Sequence, residues 1–253
     1  KIKLKGIIVN NLKEAVIKSD LIILCTPMSA YKNIIIKISK FIKPNQIITD
    51  IGSSKKESFT IIKRYLKKGI FWTSSHPIAG SEVSGPEYGK ANLFNNRWCI
   101  ITKQKTDKKV EKVERFWKKI GCKVIFMNPD EHDKIFAITS HLPHLVAYNL
   151  IKTAQDFQHK ERKNLIKFSA GGLRDFSRTA ASNEIMWRDI FFNNKKNMLL
   201  AINMFLKNLN SFKKNIEKLE DTKLRKKLLN SKKIRKEIIK LKQDVSEPDF
   251  GRK

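Results

Sequence analysis

The sequence predicts an α/β chain: a parallel-sheet unit over residues 1–129, then an all-helical unit over residues 130–253. Three observations predict it. Short continuous apolar runs, such as Leu21-Ile22-Ile23-Leu24-Cys25, mark strands buried on both faces. Those runs alternate with amphipathic segments of helical period, the pattern of crossover connections. After Asn128-Pro129 no convincing strand recurs and helical spacing takes over.

In chain order, Thr26-Pro27 ends the first strand, and Tyr31, Ile34, Ile35 and Ile38 share one helical face. Pro44-Asn45 breaks that helix, and Ile47-Ile48-Thr49-Asp50 is the next strand. Gly52-Ser53-Ser54 turns into a helix carrying Phe59, Ile62 and Leu66, and Gly69 precedes a third strand at Ile70–Thr73. A loop then opens: His76-Pro77-Ile78-Ala79-Gly80-Ser81-Glu82-Val83-Ser84-Gly85. Strand-end loops are where such folds carry their chemistry. Two further runs, Trp98–Thr102 and Lys123–Met127, flank a helix with Val110, Val113, Phe116, Trp117 and Ile120 inward and Gly121 at its end.

The helical unit opens at Asp130, with a kink expected at Pro143 and a turn at Gly171-Gly172. Met198, Ile202, Phe205, Leu209, Phe212, Ile216 and Leu219 alternate spacings of four and three, a heptad seam. The seam is either core packing or a subunit interface. A long seam needs a facing helix, which favours a dimer. The tail, Lys223–Lys242, reads as a basic amphipathic helix with a solvated charged face.

At 253 residues and 41% hydrophobic, the chain buries a sizeable core and is not disordered. No apolar run approaches the roughly 20 residues that span a bilayer. Cys25, Cys99 and Cys122 are an odd set without metal-ligand spacing, which points to reduced thiols and a cytoplasmic setting. The net charge of +29 would suit a nucleic-acid binder, but the lysines recur along nearly every helix and no recognition module or Arg/aromatic stripe is present. Composition is the favoured account, and the positive surface would draw in an anionic small substrate.

Several polar groups fall where a cleft between the two units would lie: Ser53, His76, Glu82, the pair His141 and His144, Asp175 with Arg178, and Trp187-Arg188-Asp189. Histidine moves its proton near neutral pH, which makes His76 the first candidate for chemistry. His141 and His144 could instead bind a metal, but no Cys or Glu stands at a matching helical spacing, so no metal is expected. Arg188 and Asp189 read as structural, and His132 and His159 as surface residues.

Together the stretches Ile51-Gly52-Ser53 through Lys55, His76-Pro77-Ile78-Ala79-Gly80 with Glu82 and Ser84-Gly85, Thr139-Ser140-His141-Leu142-Pro143-His144, Gly172-Leu173-Arg174-Asp175-Phe176-Ser177-Arg178 and Met186-Trp187-Arg188-Asp189 resemble those of prephenate dehydrogenases and their arogenate (cyclohexadienyl) relatives. The resemblance runs from about residue 10 to Pro248-Asp249-Phe250-Gly251-Arg252. It implies a Rossmann-like NAD(P)-binding domain and a helical domain that forms a homodimer. It also implies oxidative decarboxylation of prephenate to 4-hydroxyphenylpyruvate in tyrosine biosynthesis, or the corresponding reaction of arogenate. By this resemblance His76 is the catalytic base and Ser53 orients the substrate hydroxyl and the nicotinamide. Arg178 grips a substrate carboxylate. His141, His144, Glu82, Asp175 and Trp187 shape or gate the pocket, and Thr26, Pro27 and Ser53 adjoin the cofactor, NAD or NADP. Glu82 or Asp175 would raise the His76 pKa and Arg178 would lower it.

The chain departs from that pattern at its start. Gly6-Ile7-Ile8-Val9 carries no glycine repeat and stands too close to the Leu21 strand to be the family's phosphate-binding turn. The expectation is a nucleotide-binding domain incomplete at its N-terminus, truncated near the second strand and weak in binding NAD.

Overall fold

A computed structural model describes residues 6, 8–80, 82–83, 85–102, 108–162, 164 and 166–241. Ser81, Ser84, Ile7, Lys242 and the closing Pro248–Arg252 stretch lie outside the described residues.

The first half is built on two adjoining three-stranded sheets covered by helices. Helix α1 (Leu12–Ile17), capped by the Asn11 side chain, leads into β1 (Leu21–Leu24), and α2 (Tyr31–Ile38) crosses to β2 (Ile47–Asp50). Helix α3 (Lys56–Tyr65) crosses to β3 (Phe71–Trp72), and β1, β2 and β3 pair in parallel in that order. After a two-residue step the same extended segment becomes β4 (Ser75–Pro77), antiparallel to β5 (Trp98–Thr102). Helix α4 (Lys108–Lys119) returns the chain to β6 (Lys123–Met127), parallel to β5. The step is bridged: Thr73 N–H donates to Ile48 O at 3.1 Å, and Thr102 N–H donates to Ser74 O at 2.9 Å. Strands β1, β2 and β3 thus form a parallel three-stranded sheet, as expected, while β4, β5 and β6 form a second, mixed three-stranded sheet that continues it. His76 lies within a strand, paired with Ile100, rather than in the loop that follows.

Strand β2 is buried along its whole length because both faces are covered. Tyr31, Ile35 and Ile38 of α2 and Ile62 of α3 pack on Ile48 from one side. Val110, Val113 and Trp117 of α4 pack with Ile47, Cys99 and Ile101 on the other. Each such side chain, fully buried, stabilises the fold by roughly 1.5–3 kcal/mol relative to exposure. The buried Cys99 and Cys122 belong to this second core, whereas Cys25 is exposed.

The second half is helical. Asn128 caps α5 (Pro129–Phe136), which passes through a π-helical turn at Ala137–His141 into α6 (Leu142–Glu161). Pro143 thus sits in the first turn of a new helix, where its missing N–H costs nothing, and the irregularity is the wider turn before it. Helix α7 (Gly171–Thr179) begins at the glycine pair that the sequence suggests as a turn; Ala170 is extended and supplies the turn instead. Helix α8 (Glu184–Asn193) is separate from α9 (Lys195–Glu217), and α10 (Asp221–Lys240) follows. The heptad seam of α9 divides: Met198 is core, packed near Ala137 and Leu142, while Leu209, Ile216 and Leu219 are exposed. No helix among the described residues is long and apolar enough to cross a membrane.

Candidate active site

A cleft of about 820 Å³ lies between the sheet and the helices, lined by residues of both halves. Its floor is the end of β4 and the chain beyond it, from His76 to Gly80, with Ile100 of β5 and Met127 of β6. Ser53 enters from the turn after β2; Ser140, His144, Arg178 and Trp187 come from the helical half. Ser53 reaches the cleft because Gly52 lets the turn close tightly: a Cβ there would stand 3.0 Å from the Tyr31 hydroxyl and 3.1 Å from Asp50 Oδ2.

His76 is almost fully buried. Its Nδ1 lies 2.8 Å from His132 Nε2, and His132 Nδ1 lies 2.9 Å from Asp133 Oδ1. Neither partner stands out in the sequence, and His132 corrects the surface reading: it is 0% exposed and stacks on Phe136 at 4.5 Å. Asp133 also receives the Lys55 N–H at 2.8 Å and the Lys56 N–H at 3.0 Å. Helix α3 has no cap from its own first residue, so a carboxylate of the helical half satisfies two of its free donors.

Behind the imidazole runs a second buried polar cluster. Lys55 Nζ donates to Asp50 Oδ2 at 2.9 Å, to Ser74 Oγ at 2.7 Å and to Ser75 O at 2.7 Å, with both side chains of the ion pair fully buried. Tyr31 donates its hydroxyl proton to the same Asp50 oxygen, and burial and that carboxylate push the phenol's pKa up. Burial, then the neighbouring His132, Lys55 and His141, hold the His76 pKa well below the usual histidine range. The imidazole is therefore neutral at pH 7 through burial first, where the sequence suggests a balance of Glu82, Asp175 and Arg178.

Arg178 Nη1 donates to Glu82 Oε2 at 2.8 Å across the mouth of the cleft, joining α7 to the loop beyond β4. His144 donates Nδ1–H to Ser140 O at 3.0 Å and stacks on Trp187 at 3.7 Å, forming a flat aromatic wall. Burial, in part countered by the Ser140 carbonyl, lowers its pKa. Four of the expected residues, His141, Asp175, Thr26 and Pro27, stand apart from the lining. His141 is fully buried, its Nδ1 3.2 Å from Asn194 Nδ2, and its pKa falls to about 4 through burial. Asp175 is exposed on α7, one turn before Arg178. Thr26 and Pro27 are exposed at the carboxyl end of β1, on the same sheet edge as Ser53. Asp189, read as structural, accepts the Ser29 N–H at 2.9 Å, which ties α8 to the segment that precedes α2. Among the described residues no group of three or more His, Cys, Asp or Glu is arranged to hold a metal ion.

This arrangement matches known proteins along most of the chain. The family models for the prephenate dehydrogenase nucleotide-binding domain and dimerization domain match residues 3–126 and 128–230. A cyclohexadienyl dehydrogenase of Zymomonas mobilis is 32% identical over 80% of this chain and 69% of its own length. A prephenate dehydrogenase of Bacillus subtilis is 35% identical over 68% of this chain, which spans 46% of that protein. The solved prephenate dehydrogenase of Aquifex aeolicus in complex with hydroxyphenyl propionate and NAD+ superposes with a TM-score of 0.84 at 36% identity, covering 91% of this chain and 80% of that one. The neutral histidine on the sheet, the arginine facing it from the helices and the two matched domains lead to one conclusion: this chain belongs to the prephenate dehydrogenase family, NAD(P)-dependent oxidoreductases with a Rossmann-like domain followed by a helical one.

Proposed function

We propose that the protein oxidatively decarboxylates prephenate to 4-hydroxyphenylpyruvate in tyrosine biosynthesis, with His76 as the general base. The observation that carries this is a neutral, buried imidazole on the cleft floor with a guanidinium at the mouth. Prephenate carries a hydroxyl and two carboxylates, and the cleft supplies a base for the first and a bidentate cation for one of the others.

His76 takes the proton of the ring hydroxyl while hydride leaves the same carbon. NAD(P)+, when bound, supplies the hydride acceptor. The ring carboxylate then departs as carbon dioxide, its bonding pair aromatises the ring, and the proton held on His76 returns to the phenolate oxygen. Ser53 orients the hydroxyl, Arg178 exchanges Glu82 for a substrate carboxylate, and the His144–Trp187 wall holds the ring. His141 and Asp175 support this pocket from behind His144 and beside Arg178. The hydroxyls of Ser53 and Thr26, with Pro27, stand in the crevice outside the carboxyl ends of β1 and β2, where sheets of this kind receive a dinucleotide. That donor set fits the nicotinamide end of the cofactor.

The test supplies prephenate or arogenate, with NAD+ or NADP+, to the protein at its natural length and follows reduced nicotinamide and carbon dioxide together. Equal formation of both from prephenate is expected. Turnover of arogenate alone would move the assignment to that substrate, and turnover of neither would overturn it. The exposed apolar residues of α9 and α10, among them Ile216 and Leu228, fit a dimer with a second copy of the chain, in the reduced cytoplasmic setting that suits the exposed Cys25 thiol.

A further inference from the structure

We propose that His132 and Asp133 are positioning residues that lock His76 in the tautomer protonated on Nδ1, so that Nε2 faces the cleft as a standing proton acceptor. The proposal rests on the base role given to His76 above. It follows from the direction of each hydrogen bond in a buried chain whose far end cannot reverse.

That end is the start of α3. The Lys55 and Lys56 peptide N–H groups donate to the two oxygens of Asp133, at 2.8 and 3.0 Å. A peptide N–H has no second protonation state, so both carboxylate oxygens are acceptors. The Asp133 Oδ1 that lies 2.9 Å from His132 Nδ1 therefore takes a proton from it, and His132 is the Nδ1–H tautomer. Burial keeps His132 neutral, which leaves its Nε2 bare. His76 Nδ1 stands 2.8 Å from that bare nitrogen, and two lone pairs do not face each other at this distance. His76 Nδ1 therefore carries the ring's proton, and Nε2 is the nitrogen left to the cleft that His76 lines.

Packing removes the rotational alternatives. The His132 ring is stacked on Phe136, and His76 lies 4.9 Å from the same ring. Asn194 donates to the Asp133 carbonyl oxygen at 2.7 Å, which pins that turn of α5. When Nε2 takes a proton, the imidazolium is joined through His132 to the Asp133 carboxylate.

The experiment combines nitrogen-15 histidine NMR with kinetics on the whole protein. In the unaltered protein at neutral pH, His76 Nε2 is expected as an unprotonated, pyridine-type nitrogen and Nδ1 as N–H. Asp133→Ala removes the acceptor that orients His132, freeing both rings to exchange tautomers and moving the His76 proton to Nε2 in part of the population. kcat is expected to fall about a hundredfold with KM little changed. His132→Phe removes the acceptor and should do the same, whereas His132→Gln, whose amide oxygen can still accept from His76 Nδ1, should restore most of kcat and the original tautomer. An Nε2–H signal in the unaltered protein overturns the proposal, as does a folded His132→Phe variant that keeps both tautomer and kcat. If the unaltered protein turns over neither prephenate nor arogenate, the functional reading fails, and the NMR measurement by itself still decides the tautomer.

Discussion

His76 suits the proposed role of base because its surroundings leave it neutral. Its depressed pKa places the acid limb of kcat/KM below the usual histidine value of about 6.5, rising with pH as the base loses its proton. A pH–rate profile checks this, and a limb centred above 7 would contradict it. His76→Asn should lower kcat by about 10²–10⁴ while the protein stays folded, measured by steady-state kinetics beside a circular dichroism melt. Lys55 is the residue with most to lose from change: removing its charge strands Asp50, whose Oδ1 is already buried without a partner. Lys55→Met should destabilise the fold by about 3–5 kcal/mol in denaturant titration. His76, Ser53, Arg178 and Trp187, which line the cleft, stand out in the sequence because each sits in a local motif. Lys55 enters only as the end of a matched stretch, His132 reads as a surface residue and Asp133 is not among the candidates. The bonds that tie them into the site, Lys55 to Ser75, His76 to His132 and Lys55 to Asp133, join residues 20, 56 and 78 positions apart, and nothing in a local window reports such a partner.

Among the elements, the strands were the most legible, since β1, β2, β5 and β6 lie under helices and read as apolar runs. The step from β3 to β4 was not, because Thr73, Ser74 and Ser75 are polar yet fully engaged inside the sheet. The Gly171-Gly172 pair misled because glycine suits a helix's first turn as well as a loop, and only the extended Ala170 decides. At the turn after β2, Gly52→Ala should cost about 1–3 kcal/mol, because the Tyr31 hydroxyl and the Asp50 carboxylate hold each other where the new methyl would go. A urea unfolding midpoint unchanged from the parent protein would contradict that.

For the molecule as a whole, His76, His132 and His141 are all buried with lowered pKa values. The unfolded chain therefore binds more protons than the native one below about pH 6.5, and stability falls as pH drops through that window. His141 by itself, shifted from 6.5 to about 4, accounts for about 2 kcal/mol of that loss by pH 5 and roughly 3 kcal/mol once the pH is below 4. Urea midpoints at pH 7 and pH 5 measure it, and equal midpoints would exclude it. Assembly is tested at the same scale: Ile216→Lys and Leu228→Lys should shift sedimentation from dimer to monomer without altering the melt of the sheet.

The extended segment that is parallel to one neighbour and antiparallel to the next places the base on the sheet's hydrogen-bond lattice, whereas Arg178 rides an exposed helix and Glu82 the chain beyond β4. On the roles proposed above, proton transfer and substrate grip are thus built on different parts of the scaffold. Substitutions along α7 would then change which substrate side chain is accepted without moving the nitrogen that takes the proton, so substrate preference could drift while the reaction is inherited intact.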